Sequence, residues 1–255
     1  MFSTKELEKD VFQRQTKIPG FSQENIGSAV ITLIGAGGLG GEIGEGLIRK
    51  GTGKIRIFDS DTVAVSNLNR QMFFEKDIFK NKAVSLAENL SYQGFGRSIL
   101  IGYPYAFEEA VSLKIDMHCS LAIVGVDNDA CRVATSSYFL KTKTPVVFTG
   151  VSNDGNAGYV FVQESKQDKP CFGCLNPLAV KKSREGTLRN SCPNTPAIKD
   201  ILKIMGGIII FAVDTLLMSR HIEWNYRVFF LDESVPSGAK FIESKPGCLI
   251  CGKEK

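Results

Sequence analysis

Short apolar runs alternate along most of the chain with stretches in which apolar residues recur every three or four positions. The clearest run, Ala-Val-Ile-Thr-Leu-Ile over 29–34, is apolar at five of six positions, the pattern of a strand buried on both faces. Helical spacing follows over 39–50, and 54–58 reads as a second strand. The pattern then predicts a helix over 77–90, with Asp77 near its start and Lys82 inside it. Strands are predicted over 99–101, 121–126 and 145–149, and helices over 106–113 and 130–139. Alternation of this kind predicts a doubly wound, mostly parallel α/β sheet with helices on both faces.

The two ends of the chain are less regular. Residues 5–15 read as a short helix carrying Leu7, Val11 and Arg14 roughly on one side, and 21–27 as a connector. Residues 158–162 form a strand with no crossover helix before it, which predicts an added antiparallel part. The segment 170–194, with three cysteines, several prolines and mixed charge, is longer than an ordinary connector and is read as a functional loop. Helical spacing returns over 197–220, with Gly206-Gly207 as a point where it could kink, and strands are expected over 227–231 and 240–242. No internal repeat or low-complexity linker interrupts the 255 residues, so one domain is expected.

Chemistry enters where the first strand ends. Gly35, Gly37 and Gly40 fall in the spacing G-x-G-x-x-G. The first glycine permits a tight turn, the second lets a phosphate approach the backbone, and the third lets the helix pack on the strand. The helix that follows points its amino-terminal amides at an anion. Asp59 closes the second apolar run, about where a ribose-binding carboxylate belongs. Arg70 and Lys82 follow that strand, and Asp127 with Asn128 follow 121–126. In an open α/β sheet these strand ends share one crevice, where two cations suit a triphosphate and a carboxylate suits its Mg2+. No G-x-x-x-x-G-K-[ST] sequence is present, which excludes a P-loop.

A net charge of +4 without a dense basic stripe argues against nucleic acid as the partner. Residues 1–10 lack the apolar core of a signal peptide, and 208–218 is too short to span a bilayer, so a soluble cytoplasmic protein with no membrane partner is expected. Two of the pairs among seven cysteines, Cys171/Cys174 and Cys248/Cys251, have two-residue spacing. In a reducing compartment that spacing predicts a closed, structural zinc knuckle built from four thiolates. His118 and His221 stand apart from the strand-end cluster and are read as surface groups or as groups that support the site from behind, and Cys119 and Cys131 as packing residues.

Gly35-Ala36-Gly37-Gly38-Leu39-Gly40, Asp59-Ser60-Asp61, Ser66-Asn67-Leu68-Asn69-Arg70-Gln71, Lys82, Asp127-Asn128 and the paired cysteines together resemble the ThiF/MoeB/ubiquitin-activating (E1-like) adenylyltransferases. The likeness runs from Phe12 to Gly252. It implies a nucleotide-binding core over 29–150, a zinc and crossover-loop part over 151–255, and binding of ATP·Mg2+. The implied partner is a ubiquitin-like or sulfur-carrier protein with a carboxyl-terminal glycine. Its carboxylate would attack the α-phosphate and release pyrophosphate.

By that resemblance Asp59 would hold the ribose, Asn67, Arg70 and Lys82 the phosphates, and Asp127 the Mg2+. Gly38, Asp61, Gln71 and Asn128 would complete the cofactor site. Arg14 matches an arginine supplied by a partner subunit, which implies a homodimer with 197–220 in its interface; the family's further arginine, three positions earlier, is Val11 here. Cys192 occupies the place where some relatives carry a cysteine that takes the activated tail as a thioester or acyl-persulfide, and a plain loop thiol is the other reading. A peptide or a modified tRNA base could replace the carrier. A nicotinamide dehydrogenase would share the glycine loop but has no use for Arg14, Arg70, Lys82 and Asp127 together, and a non-catalytic scaffold subunit would lose nucleotide-site residues.

Overall fold

The computed structural model describes residues 11–95, 97–166, 169–187, 196–232 and 234–252. A 3-10 turn at Gln15–Lys17 leads to α1 (Gln23–Ser28), β1 (Val30–Ile34), α2 (Gly38–Arg49) and β2 (Lys54–Phe58). Then come α3 (Lys82–Ser91), β3 (Ile99–Tyr103), α4 (Phe107–Ser112), β4 (Leu121–Val124), α5 (Asp129–Lys141) and β5 (Val146–Val151). The remainder is β6 (Ala157–Gln163), α6 (Phe172–Leu175), α7 (Pro177–Arg184), α8 (Lys199–Leu217), β7 (Tyr226–Phe230) and β8 (Gly238–Lys240). Among the described residues no helix is long and apolar enough to cross a membrane.

All eight strands form one sheet in the order β3-β2-β1-β4-β5-β6-β7-β8. The first five are parallel, and β6, β7 and β8 pair antiparallel beyond them. The doubly wound α/β sheet with an antiparallel extension is therefore the observed fold. Chain direction across the sheet reverses between β1 and β4, which opens a crevice at their carboxyl ends.

Both faces of the central strands are covered, which is why they are apolar without alternation. Ile31 and Leu33 of β1 and Leu121 and Ile123 of β4 face one core with Leu39, Ile43, Leu47, Leu86 and Met205. Ile34, Ala122, Val124 and Phe148 face the other with Phe107, Phe139 and Phe172. Glycines let α8 come close to α2: a Cβ on Gly46 would overlap Ile210, and one on Gly206 would meet Glu42. Gly206-Gly207 thus marks a helix crossing, and α8 runs through it without interruption. Glu42 pairs with Lys199 and lies 3.5 Å from Lys203, and Lys50 pairs with Asp214, so ion pairs flank this contact.

Three expectations need correction. The connector at 21–27 contains a helix, because Ser22 caps it by accepting from the Asn25 N–H. The helix expected from Asp77 begins only at Lys82, which is its first residue. Residues before it are drawn to the loop after β2: Phe79 N–H donates to the Val63 carbonyl, Asn81 bridges Thr62, and Asn81 then caps α3. Finally, the loop expected over 170–194 holds two helices, α6 and α7, the second opened by an Asn176 cap and Pro177. Of the expected helix at 5–15, residues 5–10 lie outside the described residues.

Gly40 tolerates no side chain: a Cβ there would sit 2.2 Å from the Gly35 carbonyl oxygen, whereas one on Gly37 meets nothing within 4 Å. Gly40→Ala is expected to destabilise the chain by roughly 1–3 kcal/mol, read as a lower urea midpoint at unchanged slope. Gly37→Ala should leave the midpoint where it is.

Candidate active site

The crevice at the switch point encloses about 500 Å3. Its floor is the turn from β1 to α2. Gly35 adopts φ +102°, and a Cβ on it would strike the Gly125 carbonyl, so only glycine makes this turn without strain. Gly37 and Gly38 line the crevice beside it. Gly40 does not, and serves the packing of α2 on the turn.

Asp59 hangs from the end of β2 over this floor. Its two oxygens accept from the Ala36 N–H at 2.7 Å and the Asp61 N–H at 2.9 Å. Burial pushes its carboxyl above the usual carboxylate range, although both N–H donors and Lys82 pull the other way. Lys82, at the start of α3, donates to Asp61 at 2.8 Å with its side chain nearly buried. Asp61 thus fixes the ammonium group that lines the crevice.

The segment after β2 supplies Asn67, Arg70 and Gln71 to the same wall. Asn67 Oδ1 accepts from the Ala64 N–H at 3.0 Å, so that oxygen holds its own turn. The Arg70 guanidinium folds back onto the Ser66 carbonyl at 2.7 Å and Asn69 at 3.0 Å. Lys199 of α8 reaches the Arg70 carbonyl at 3.3 Å. On the opposite wall Asp127 is exposed to the crevice, and Asn128 caps α5 through the Ala130 and Cys131 N–H groups.

The crevice therefore gathers Gly35, Gly37, Gly38, Asp59, Asp61, Asn67, Arg70, Gln71, Lys82, Asp127 and Asn128. Arg14 is exposed and does not line it, and Cys192 lies outside the described residues. His118 and His221 are exposed and do not line it, while Cys119 and Cys131 are buried, as expected, and Cys131 also borders the crevice. Arg132 is among the crevice residues that the sequence reading did not single out. Arg132, buried in α5, lines the crevice and donates to the Val126 carbonyl at 2.6 Å and the Thr149 carbonyl at 3.3 Å. Its signal was faint: an arginine one turn into a helix, after Asp127-Asn128.

The four expected cysteines converge. Cys171, Cys174, Cys248 and Cys251 place their sulfurs within 4.8 Å of one another. Separations of 3.5 Å for Cys171–Cys248, 3.4 Å for Cys174–Cys251 and 4.0 Å for Cys171–Cys174 bracket the edge of about 3.8 Å that a tetrahedron of thiolates around zinc would have. The Cys171 thiol, hydrogen-bonded to Cys174, holds the latter down to about 4, with help from the Lys245 N–H. The residues present fit a metal ion.

Comparison with known proteins bears on this geometry at one decisive point: the model of the ThiF family matches residues 12–245. The chain belongs to the ThiF family. Among relatives of this ThiF-family chain, the adenylyltransferase and sulfurtransferase MOCS3 of Caenorhabditis briggsae is 24% identical over 95% of the chain, which spans 60% of that protein. The sulfur carrier protein adenylyltransferase of Thermus thermophilus is 26% identical over 98% of the chain and 93% of that protein. In fold, E. coli MccB, crystallised with AMPCPP and MccA, superposes with a TM-score of 0.79 at 17% identity, over 96% of this chain and 75% of MccB.

The raised Asp59 carboxyl has a consequence for stability. The folded chain takes up this proton at a higher pH than the unfolded chain, so Asp59 lowers stability as pH rises from the ordinary carboxylate value to the raised folded one. Urea midpoints measured across that window should fall less steeply with pH in Asp59→Asn than in the parent chain.

Proposed function

We propose that this chain adenylates the carboxyl-terminal glycine of a ubiquitin-like or sulfur-carrier protein, consuming ATP and releasing pyrophosphate. The reading is carried by one observation: the glycine turn, Asp59, Lys82, Arg70 and Asp127 all border one crevice at the switch point of the sheet. The names of the MOCS3 and Thermus relatives support the same chemistry.

A carboxylate attacking a polyanion needs its repulsion offset, and the leaving pyrophosphate needs cations. Asp59 receives the ribose hydroxyls, and the open face of Gly37 admits a phosphate to the amino terminus of α2. Lys82, held by Asp61, and Arg70, once swung from Ser66, bind phosphate oxygens. Asp127 would hold Mg2+, which neutralises phosphate charge when bound. The carrier carboxylate then forms an acyl–oxygen–phosphorus bond at the α-phosphorus as the bond to pyrophosphate breaks. Where Cys192 takes part, its thiol gives its proton to solvent, and the sulfur attacks the acyl carbon and displaces AMP, leaving a thioester.

A second copy of the chain belongs to the proposal. Arg14 is remote from the crevice of its own chain, and α8 turns Phe211, which is 54% exposed, outward beside half-buried Ile204 and Ile208. A homodimer covering α8 would bury that face and bring Arg14 to the partner. The cysteine knuckle would hold Zn2+, which joins the chain's last residues to α6 when bound. Reduced thiols of this kind suit the cytoplasm.

Carrier-dependent exchange of labelled pyrophosphate into ATP is the test. Asp127→Ala and Arg70→Ala should each lower exchange by roughly 100-fold, and unchanged exchange in both would remove them from the site. A short peptide ending in glycine, supplied instead of the carrier, separates a peptide substrate from a protein one. Cys192→Ala should keep exchange and lose any covalent carrier adduct. Metal analysis should find one zinc per chain, and Cys171→Ser with Cys248→Ser should abolish it; a zinc-free parent chain after gentle purification would refute the knuckle.

A further inference from the structure

Two polar bridges, one buried and one part-buried, join the cysteine cluster to α5, the helix whose start borders the crevice. In the first, Gln163 Oε1 accepts from the Phe172 N–H at 3.0 Å and from the Ser136 hydroxyl at 2.6 Å, and its Nε2 donates to the Ser136 carbonyl at 3.1 Å. This bridge is fully enclosed and ties α6 to the middle of α5.

The second bridge reaches the crevice itself. Asn176 lies two residues beyond Cys174 and caps α7, its Oδ1 accepting from the Ala179 N–H at 3.1 Å. Its Nδ2 donates to Asp129 Oδ2 at 3.2 Å. The other Asp129 oxygen accepts from Arg132 at 2.8 Å. Arg132 in turn grips the Val126 carbonyl, the atom just before Asp127, and the Thr149 carbonyl of β5. Asp127 therefore stands between a backbone carbonyl held by Arg132 and the Asn128 cap of α5, and Asn176 restrains the carboxylate that orients Arg132.

We propose that Asn176 is a positioning residue for the crevice: through Asp129 and Arg132 it holds the Val126–Asn128 strand end in place, so that nucleotide affinity depends on the segment that follows the cysteine cluster. The inference rests on the adenylation reading for the identity of the ligand. Asn176 does not line the cavity. Its effect is on the geometry of Asp127, because freeing one Asp129 oxygen lets the guanidinium tilt away from the two strand-end carbonyls. A bond of this kind, one step removed from the site, shifts affinity modestly.

Asn176→Ser and Asn176→Asp both keep an oxygen for the α7 cap and lose the amide group that extends to Asp129. In each, the dissociation constant for MgATP, measured by calorimetry, should rise roughly three- to tenfold with metal content unchanged. Amide hydrogen exchange over residues 126–132 should quicken. Adding Asp129→Asn to Asn176→Asp reverses donor and acceptor across the gap and should recover most of the lost affinity, which a general loss of stability would not do. Unchanged affinity and unchanged exchange in both single variants would overturn the inference. A parent chain that fails to bind MgATP while exchange still quickens in the variants would instead defeat the adenylation reading, and with it the nucleotide half of this inference.

Discussion

Everything in the crevice depends on how tightly α2 is pressed against the turn that leaves β1. The Gly35 carbonyl lies so near Gly40 that no side chain fits between them, and Gly35 itself takes a left-handed conformation. Because β1 is hydrogen-bonded to β2 on one side and β4 on the other, that turn is fixed in the middle of the sheet. Its rigidity puts the amides of α2 at the one place where chain direction across the sheet reverses. Asp59 reinforces it from β2 by accepting the Ala36 N–H.

The side chains around this turn do two things at once. Asp59, Asn67 and Asn128 each accept backbone N–H groups of their own or neighbouring loops while bordering the crevice. One Asp61 oxygen holds Lys82, and one end of the Arg132 guanidinium holds the carbonyls that follow β4 and lie within β5. These paired polar groups stiffen loops that Val63 and Phe73 also anchor in the apolar core. The same logic extends across α5 to the cysteine cluster, where Gln163 and Asn176 make the cross-links.

The parallel core was legible from the chain because both faces of its strands are buried, which leaves long apolar runs between turn residues. The glycine spacing, Asp59, Lys82 and Asp127 were legible for a related reason: strand ends and turns demand particular residue types, and chemistry is placed there. The paired cysteines declared themselves by spacing alone. Boundaries were less readable. Phe79 leaves the helical region because the Val63 carbonyl, distant in sequence, offers its N–H a partner, and no local pattern encodes that bond.

What the amino-acid order determined by itself was therefore the strand–helix alternation, the nucleotide-type turn and the four thiols, each fixed by local sterics or by ligand spacing. Tertiary structure alone decided that Lys82 opens a helix, that Gly206 marks a crossing with α2, that Arg70 rests on its own loop, and that Arg132 and Asn176 brace the crevice. Most of these are contacts between residues far apart along the chain. Their energies depend on burial and on paired geometry, which exist only once the sheet has brought the partners together.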